Sequence, residues 1–200
     1  MRKLGFIAIL FALLAGCGQK DYSKEVFPKD LTGAGYGRNF RLDDFDGKTR
    51  QLVDFRGRVV VLFFGYTHCP EVCPTTLSDL AAALKKMGND GKKVQVLFVT
   101  IDPERDTPKI LKQYVPFFNP DFLGLYGNPE ETKKTADEFH VYYRKVQIED
   151  GWKNYAMDHT AGCFVFDPNG RLRTYMPYGE KPAEMVRDME KLLESRDDAS

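Results

Sequence analysis

The sequence has almost no net charge, few histidines and no internal repeat, and these absences narrow what the protein can do. Its 29 basic residues balance 29 acidic ones, so the charge pattern offers no surface for nucleic acid or for anionic lipid headgroups. The apolar stretch at residues 4–14 is shorter than the roughly 20 residues that a membrane-spanning helix needs. No low-complexity tract or change of composition divides the rest of the chain, which favours a single globular domain.

The N-terminus has the pattern of a secretory signal. Two basic residues precede the apolar stretch, and the tetrapeptide Leu-Ala-Gly-Cys that ends at Cys17 resembles the bacterial lipobox. We therefore expect a signal peptide at residues 1–16, a lipidated Cys17 at the mature N-terminus, a tether at residues 17–37 and a folded domain at residues 38–200. The domain would then lie outside the cytoplasm, in the bacterial cell envelope, attached to a membrane through the lipid.

The hydrophobic pattern along the domain predicts an α/β protein. Alternating β and α units favour a parallel core, and hairpins near both ends add antiparallel strands, an order that matches a thioredoxin-like fold with a central mixed sheet flanked by helices and an N-terminal β-hairpin. The predicted strands are residues 39–42, 49–52, 59–66, 94–101, 122–126, 141–146, 163–166 and 171–175. The predicted helices are residues 76–87, 107–117 and 129–139, with a last one from residue 182.

Two cysteines, Cys69 and Cys73, follow the buried strand at residues 59–66 directly. If Cys17 carries a lipid, only three cysteines remain in the domain, and an odd number in an oxidising compartment argues for a working site rather than a disulfide scaffold. Pro70 and Pro74 prevent both cysteines from lying deep in one helix. We expect Cys73 at or next to the N-cap, with Pro74 as the first helical residue, where the helix N-terminus favours the thiolate.

The spacing of this pair leaves two kinds of chemistry open. Three residues separate the sulfurs where dithiol oxidoreductases typically keep two, so the pair can share a metal ion and can also close into a disulfide. A metal would need a third ligand, for which His159 is the strongest candidate, with Asp158 as a partner that orients it. His68 adjoins Cys69; we expect a solvated loop residue, with tuning of the Cys69 pKa as the alternative. We expect His140, at a helix end, to interact with the C-terminal helix dipole rather than to bind a metal.

Two thiolates and one imidazole suit Cu(I) and tolerate Cu(II). Zinc ranks lower, because structural zinc sites are closed tetrahedra and the sequence shows no fourth ligand in a recognisable spacing. The acidic loop at residues 102–106 also offers two carboxylates. We expect Asp102 to end its strand, and Arg105 and Asp106 to fix the loop by ion pairing and capping, rather than to bind a metal.

Three segments together resemble the Sco/SenC family. They are Phe64-Gly-Tyr-Thr-His-Cys-Pro-Glu-Val-Cys-Pro74, Val99-Thr-Ile-Asp-Pro-Glu-Arg-Asp-Thr107 and Met157-Asp-His-Thr160, and the similarity extends from about Asn39 to the last helix. The resemblance implies a thioredoxin-like, membrane-anchored protein that binds copper through Cys69, Cys73 and His159. It also implies a role in assembling the binuclear copper centre of cytochrome c oxidase, whose copper-bearing subunit would be the partner.

Two features depart from that family pattern. Cys163 stands where a non-cysteine residue is expected; we interpret it as a small buried hydrophobe, with extra copper ligation as the alternative. The lipobox at Cys17 replaces the transmembrane helix common among relatives, which changes the means of attachment.

The sequence leaves two main functional hypotheses. The first is a copper chaperone, which is not an enzyme. The second is a membrane-tethered thiol–disulfide oxidoreductase that reduces a partner's cysteines through Cys69 and Cys73, itself served by thioredoxin-like reductants. A peroxidase that uses an exposed thiolate is a more distant third.

Overall fold

The computed structural model describes residues 27–148 and 155–194; the predicted signal peptide and Cys17 lie outside these residues. The strands are β1 Arg41–Asp44, β2 Thr49–Gln51, β3 Val59–Gly65, β4 Val94–Thr100, β5 Leu123–Tyr126, β6 Tyr143–Gln147, β7 Tyr155–His159, β8 Gly162–Phe166 and β9 Leu172–Pro177. The helices are α1 Val72–Met87, α2 Pro108–Phe118, α3 Pro129–Glu138 and α4 Pro182–Glu194. Within the described ranges, no helix has both the length and the apolar character needed to cross a membrane.

Seven of these strands form one mixed sheet in the order β2-β1-β5-β4-β3-β8-β9. β3, β4 and β5 are parallel, while β1 and β8 pair with this core in the antiparallel sense. Every residue of β3 and β4 is buried, as expected for strands that are covered on both faces of a sheet. The predicted fold class is therefore confirmed.

The helix starts have the local signals that predict them. Thr107 caps α2 by accepting a hydrogen bond from the backbone of Ile110, and a proline follows at the first helical position. Asn128 caps α3 in a capping box with Glu131, again followed by a proline. α1 differs from the prediction, because it begins at Val72 rather than at residue 76.

The early start of α1 changes where the cysteine pair lies. Glu71 is the N-cap, so Cys73 is the second residue of the helix and Pro74 the third. Pro74 is tolerated there because backbone N–H groups in the first turn have no partner within the helix. The prediction placed Cys73 at or next to the N-cap and Pro74 at the first helical position; Pro74 instead lies two residues further into the helix, and Cys73 is its second residue.

The strand predicted at residues 141–146 exists, but it does not join the main sheet. It is β6, which pairs in the antiparallel sense with β7 to form a separate two-stranded sheet. β7 was not among the strands predicted from the sequence. Most of β6 is exposed, so it lacks the apolar surface that would place it inside the sheet.

Part of the predicted tether lies against the domain. Leu31 is only 3% exposed, and its backbone N–H donates to the carbonyl of Arg173 in β9. Phe27 packs against Phe164 and Tyr175. Residues 27–31 therefore cover the outer edge of β9, which would otherwise present unpaired backbone groups.

Candidate functional site

Three segments meet where β3 and β4 end. The cysteine loop follows β3, and the acidic loop at residues 101–107 follows β4, its parallel neighbour. Parallel strands place their carboxyl ends at one edge of a sheet, and this edge is where open α/β proteins form their sites. The third segment is β7, which ends at His159 and comes from the separate hairpin.

Hydrogen bonds join Cys69 and Cys73. Neither cysteine forms a disulfide, and the Cys69 sulfur accepts a hydrogen bond from the backbone N–H of Cys73 at 3.5 Å. The Cys73 thiol also donates to this sulfur, which is the main reason why the pKa of Cys69 falls to about 3. The same hydrogen bond, with burial, raises the pKa of Cys73. Cys69 is therefore the thiolate at neutral pH, and Cys73 keeps the proton.

The Cys73 sulfur lies in a tight apolar pocket. Cys73 has no exposed surface, and its sulfur lies directly above Gly65 at the end of β3. A Cβ atom on Gly65 would stand 2.8 Å from the Cys73 Sγ and 2.8 Å from Cε2 of Phe98, well inside van der Waals distance. Glycine at this position therefore lets the second cysteine pack against the strand.

His159 also contacts the Cys69 sulfur. Its Nδ1 lies 2.9 Å from the carbonyl oxygen of Thr160, and because a carbonyl only accepts, Nδ1 carries the hydrogen. His159 also donates a hydrogen bond to the Cys69 sulfur, which helps to lower the pKa of Cys69. A metal ion bound at the site would replace the hydrogen on that ring nitrogen. The structure thus brings all three predicted ligands together through Cys69.

These contacts form a chain rather than a closed metal cage. Among residues 27–148 and 155–194, no three His, Cys, Asp or Glu side chains are gathered closely enough to hold a metal ion as they stand. Tyr66 fills part of this region. Its ring packs edge-on against His159 at 6.0 Å between centroids, and its hydroxyl group hydrogen-bonds to Cys69 and to the backbone of Met157.

The other candidate residues lie apart from the thiolate. His68 is half exposed and faces Thr67 and Asp106 at 3.2 and 3.8 Å. His140 follows the end of α3 with a φ of 53° and stacks on a tyrosine ring. Asp158 does not orient His159, because it points to solvent and pairs with Arg144 at 3.1 Å.

Cys163 is a buried β8 residue, 1% exposed, and its burial raises the pKa of its thiol. On β8 it is the register partner of Phe63 in β3 and of Met176 in β9. The interpretation of Cys163 as a small buried hydrophobe agrees with these surroundings.

Asp106 supports the cysteine loop, a role that the sequence analysis missed. Its buried carboxylate accepts hydrogen bonds from the Thr67 amide at 3.0 Å, the Thr67 hydroxyl at 2.6 Å and the Thr100 hydroxyl at 2.7 Å. We expected it to fix its own loop before α2, where Thr107 is the cap instead. The signal available was only an acidic residue after a buried strand, and its partner is 39 residues away in the chain.

Comparisons with known proteins agree with one another. The family model described as SCO1/SenC matches residues 29–194. The structure of Bradyrhizobium japonicum ScoI with copper bound is 40% identical in sequence and has a TM-score of 0.70. The alignment covers 78% of this chain and 98% of that protein. A SCO2-like protein of Rickettsia felis is 33% identical over 75% of this chain and 73% of its own length. A SCO1/SenC family lipoprotein from Bacillus anthracis is 26% identical with a TM-score of 0.63, over 77% of this chain and 92% of its own.

Proposed function

Because the chain belongs to the SCO1/SenC family, which is associated with cytochrome c oxidase assembly, we propose that it is a copper chaperone. It would bind copper through Cys69, Cys73 and His159 and deliver it to the binuclear copper centre of the oxidase. The observation that carries this proposal is the contact of one thiolate, Cys69, with both a second cysteine and a histidine at the edge of the sheet. The ScoI relative with copper bound supports the choice of metal.

The residues suit copper as cargo. Two soft sulfur ligands and one imidazole favour Cu(I), and the imidazole makes Cu(II) acceptable. Loading requires the Cys73 proton to leave, so copper uptake releases a proton and weakens as the pH falls. Cys73 is buried, whereas Cys69 and His159 are partly exposed. The two exposed ligands are therefore the ones that a recipient's ligands can reach first.

A competition titration tests this proposal. The reduced, metal-free protein is mixed with Cu(I) and a coloured Cu(I) chelator, and the wild type should take up one equivalent. Cys69→Ser, Cys73→Ser and His159→Ala should each lose most of this affinity, while His140→Ala, an exposed histidine away from the site, should keep it. Wild-type affinity in His159→Ala would show that the three-ligand site is wrong.

The low pKa of Cys69 favours one alternative, a thiol–disulfide oxidoreductase. A stable thiolate with a second cysteine in hydrogen-bonding contact has the parts needed for attack on a disulfide and for resolution of the mixed disulfide. The discriminating measurement is turnover of a disulfide substrate. An oxidoreductase would keep its turnover in His159→Ala and lose it in Cys69→Ser.

We also propose that Cys17 carries the lipid that anchors the domain in the cell envelope; the relative from Bacillus anthracis is itself a lipoprotein. Asp30 pairs with Thr174 of β9 in the antiparallel sense, and β9 runs parallel to β3 through β8. The backbone from Asp30 back to Phe27 therefore runs toward the end of the sheet that bears the cysteines. Labelling with a fatty acid should mark the wild type and leave Cys17→Ser unmarked.

A further inference from the structure

The hairpin that carries His159 is not part of the main sheet, so other contacts must fix its position. β6 and β7 pair with each other and with no other strand in the described residues. The cysteines, by contrast, follow β3, a central strand of the seven-stranded sheet. The two halves of the proposed site therefore belong to two separately paired pieces of structure, and their relative position depends on the contacts between those pieces.

One such contact is a buried cluster of Asp102, Arg105 and Tyr155. The Tyr155 hydroxyl donates to Asp102 Oδ1 at 2.7 Å, and Arg105 Nε donates to the other carboxylate oxygen. Arg105 Nη1 donates to the Tyr155 carbonyl at 2.8 Å, and its guanidinium lies 3.6 Å from the centroid of the Tyr155 ring. Asp102 and Tyr155 are 1% and 7% exposed, so these charge-assisted bonds are shielded from water.

The loop that supplies Asp102 and Arg105 also holds the cysteine loop. Asp106, in the same loop, accepts two hydrogen bonds from Thr67, two residues before Cys69. The loop also has internal backbone hydrogen bonds, because the Asp102 carbonyl accepts the backbone N–H groups of Arg105 and Asp106 at 3.1 and 2.9 Å. One short loop is thus bonded to both halves of the site, to the cysteine half by Asp106 and to the histidine half by Asp102 and Arg105.

We propose that Asp102 and Arg105 are positioning residues that hold β7 so that His159 faces Cys69. This inference rests on the proposed copper site, and it adds the residues that set its geometry. Tyr155 and His159 are the two ends of β7, separated by about 13 Å of extended backbone. Contacts that fix Tyr155 prevent the strand from sliding along its axis, and such a slide would move the imidazole at its other end.

Two other polar contacts of the hairpin are weaker or less direct. Lys145 pairs with Glu104 at 2.6 Å, but both side chains are at least one-third exposed, and ion pairs of this kind contribute little. The hydrogen bond between Tyr66 and the backbone of Met157 joins β7 to the cysteine loop directly. It involves one neutral hydroxyl group, whereas the Arg105 cluster joins the loop to the hairpin by two hydrogen bonds and a ring contact.

The variants for the test are Arg105→Gln, which removes the charge and the fork of donors, and the milder Tyr155→Phe, which removes only the hydroxyl. Arg50→Gln is the matched control, because Arg50 pairs with buried Asp44 at 2.7 Å on β1 and β2, at the far edge of the sheet. In the reduced, metal-free protein, Arg105→Gln should speed amide hydrogen exchange in β7 and leave that of β3 and β4 unchanged. Arg50→Gln should leave β7 unchanged.

Copper affinity provides the second measurement. Arg105→Gln should weaken Cu(I) binding about 10-fold or more, as outer residues of metal sites typically do, and Tyr155→Phe should weaken it in the same direction by less. In the His159→Ala background, Arg105→Gln should cause no further loss, because the histidine that it positions is gone. An equal loss in both backgrounds, or the same loss in Arg50→Gln, would overturn the positioning role. If His159→Ala itself binds copper normally, the proposed site fails, and hydrogen exchange still decides whether the cluster holds β7.

Discussion

Gly65→Ala tests whether the packing under Cys73 sets the position of its sulfur. The added Cβ would lie 2.8 Å from the Cys73 Sγ and 2.8 Å from Phe98 Cε2, roughly 1 Å inside the usual carbon–carbon separation. The ring of Phe98 has little freedom to retreat, since it packs against Phe63 and Tyr114 with both centroid distances at 5.9 Å. The sulfur and the first turn of α1 must therefore shift.

Overpacking of this kind costs about 1–3 kcal/mol. For a protein of this size each kcal/mol lowers the melting temperature by roughly 2–4 °C, so Gly65→Ala should melt about 2–12 °C below the wild type. Cu(I) affinity should fall as well, because the Cys73 sulfur is displaced from its place beside Cys69.

The assay is thermal unfolding of the reduced, metal-free protein, followed by the Cu(I) competition titration. Gly35→Ala is the matched control, since a Cβ on Gly35 meets nothing within 4 Å, and neither glycine has a positive φ. The control should keep the wild-type melting temperature and copper affinity. If Gly65→Ala behaves like Gly35→Ala in both measurements, the close packing of Cys73 on β3 does not position the sulfur, and the reasoning fails.

Two further predictions concern titrating groups. The pKa of Cys69 is lowered to about 3, so its alkylation rate should stay constant from about pH 8 down to about pH 5, while Cys73 stays unreactive. Mass spectrometry after brief iodoacetamide treatment measures both rates. A Cys69 rate that still rises above about pH 7 would contradict the lowered pKa. Burial raises the pKa of Glu180 from 4.5 to about 7 although Lys29 lies 3.2 Å away. The folded state therefore favours the protonated form, and this stability is fully present below about pH 4 and is lost as the pH rises through about 7. Glu180→Gln should remove that loss, so denaturant unfolding should show its stability relative to the wild type increasing from about pH 5 to about pH 8, and equal slopes would refute the assignment.

Much of the main sheet could be predicted from the sequence because its strands are locally distinctive. β3 and β4 are rich in β-branched and aromatic residues, a composition typical of strands that are covered on both faces of a sheet. α2 and α3 begin at capping residues followed by proline. α1 was harder, because its first turn contains Cys73 and Pro74, residues that do not signal a helix interior.

The β6–β7 hairpin could not be predicted with the same success. β7 has only five residues, too few for a clear alternation of apolar and polar side chains. Its last two residues, Asp158 and His159, are polar and indicate a ligand site rather than a strand. Whether β6 joins the main sheet or pairs elsewhere depends on which sheet edge is free, and local propensity carries no information on that.

The sequence by itself determined the chemical type of the site: two cysteines after a buried strand, near the start of a helix, and a histidine before a later strand. Only the tertiary structure decided how these groups relate. It made Cys69 the thiolate by placing the Cys73 thiol and His159 against its sulfur. It also made the loop at residues 101–107 the common support of both halves, through Asp106 and Thr67 on one side and Asp102 and Tyr155 on the other. Residue types and spacing reveal which ligands are available, whereas pKa values and ligand positions depend on contacts between residues far apart in the chain.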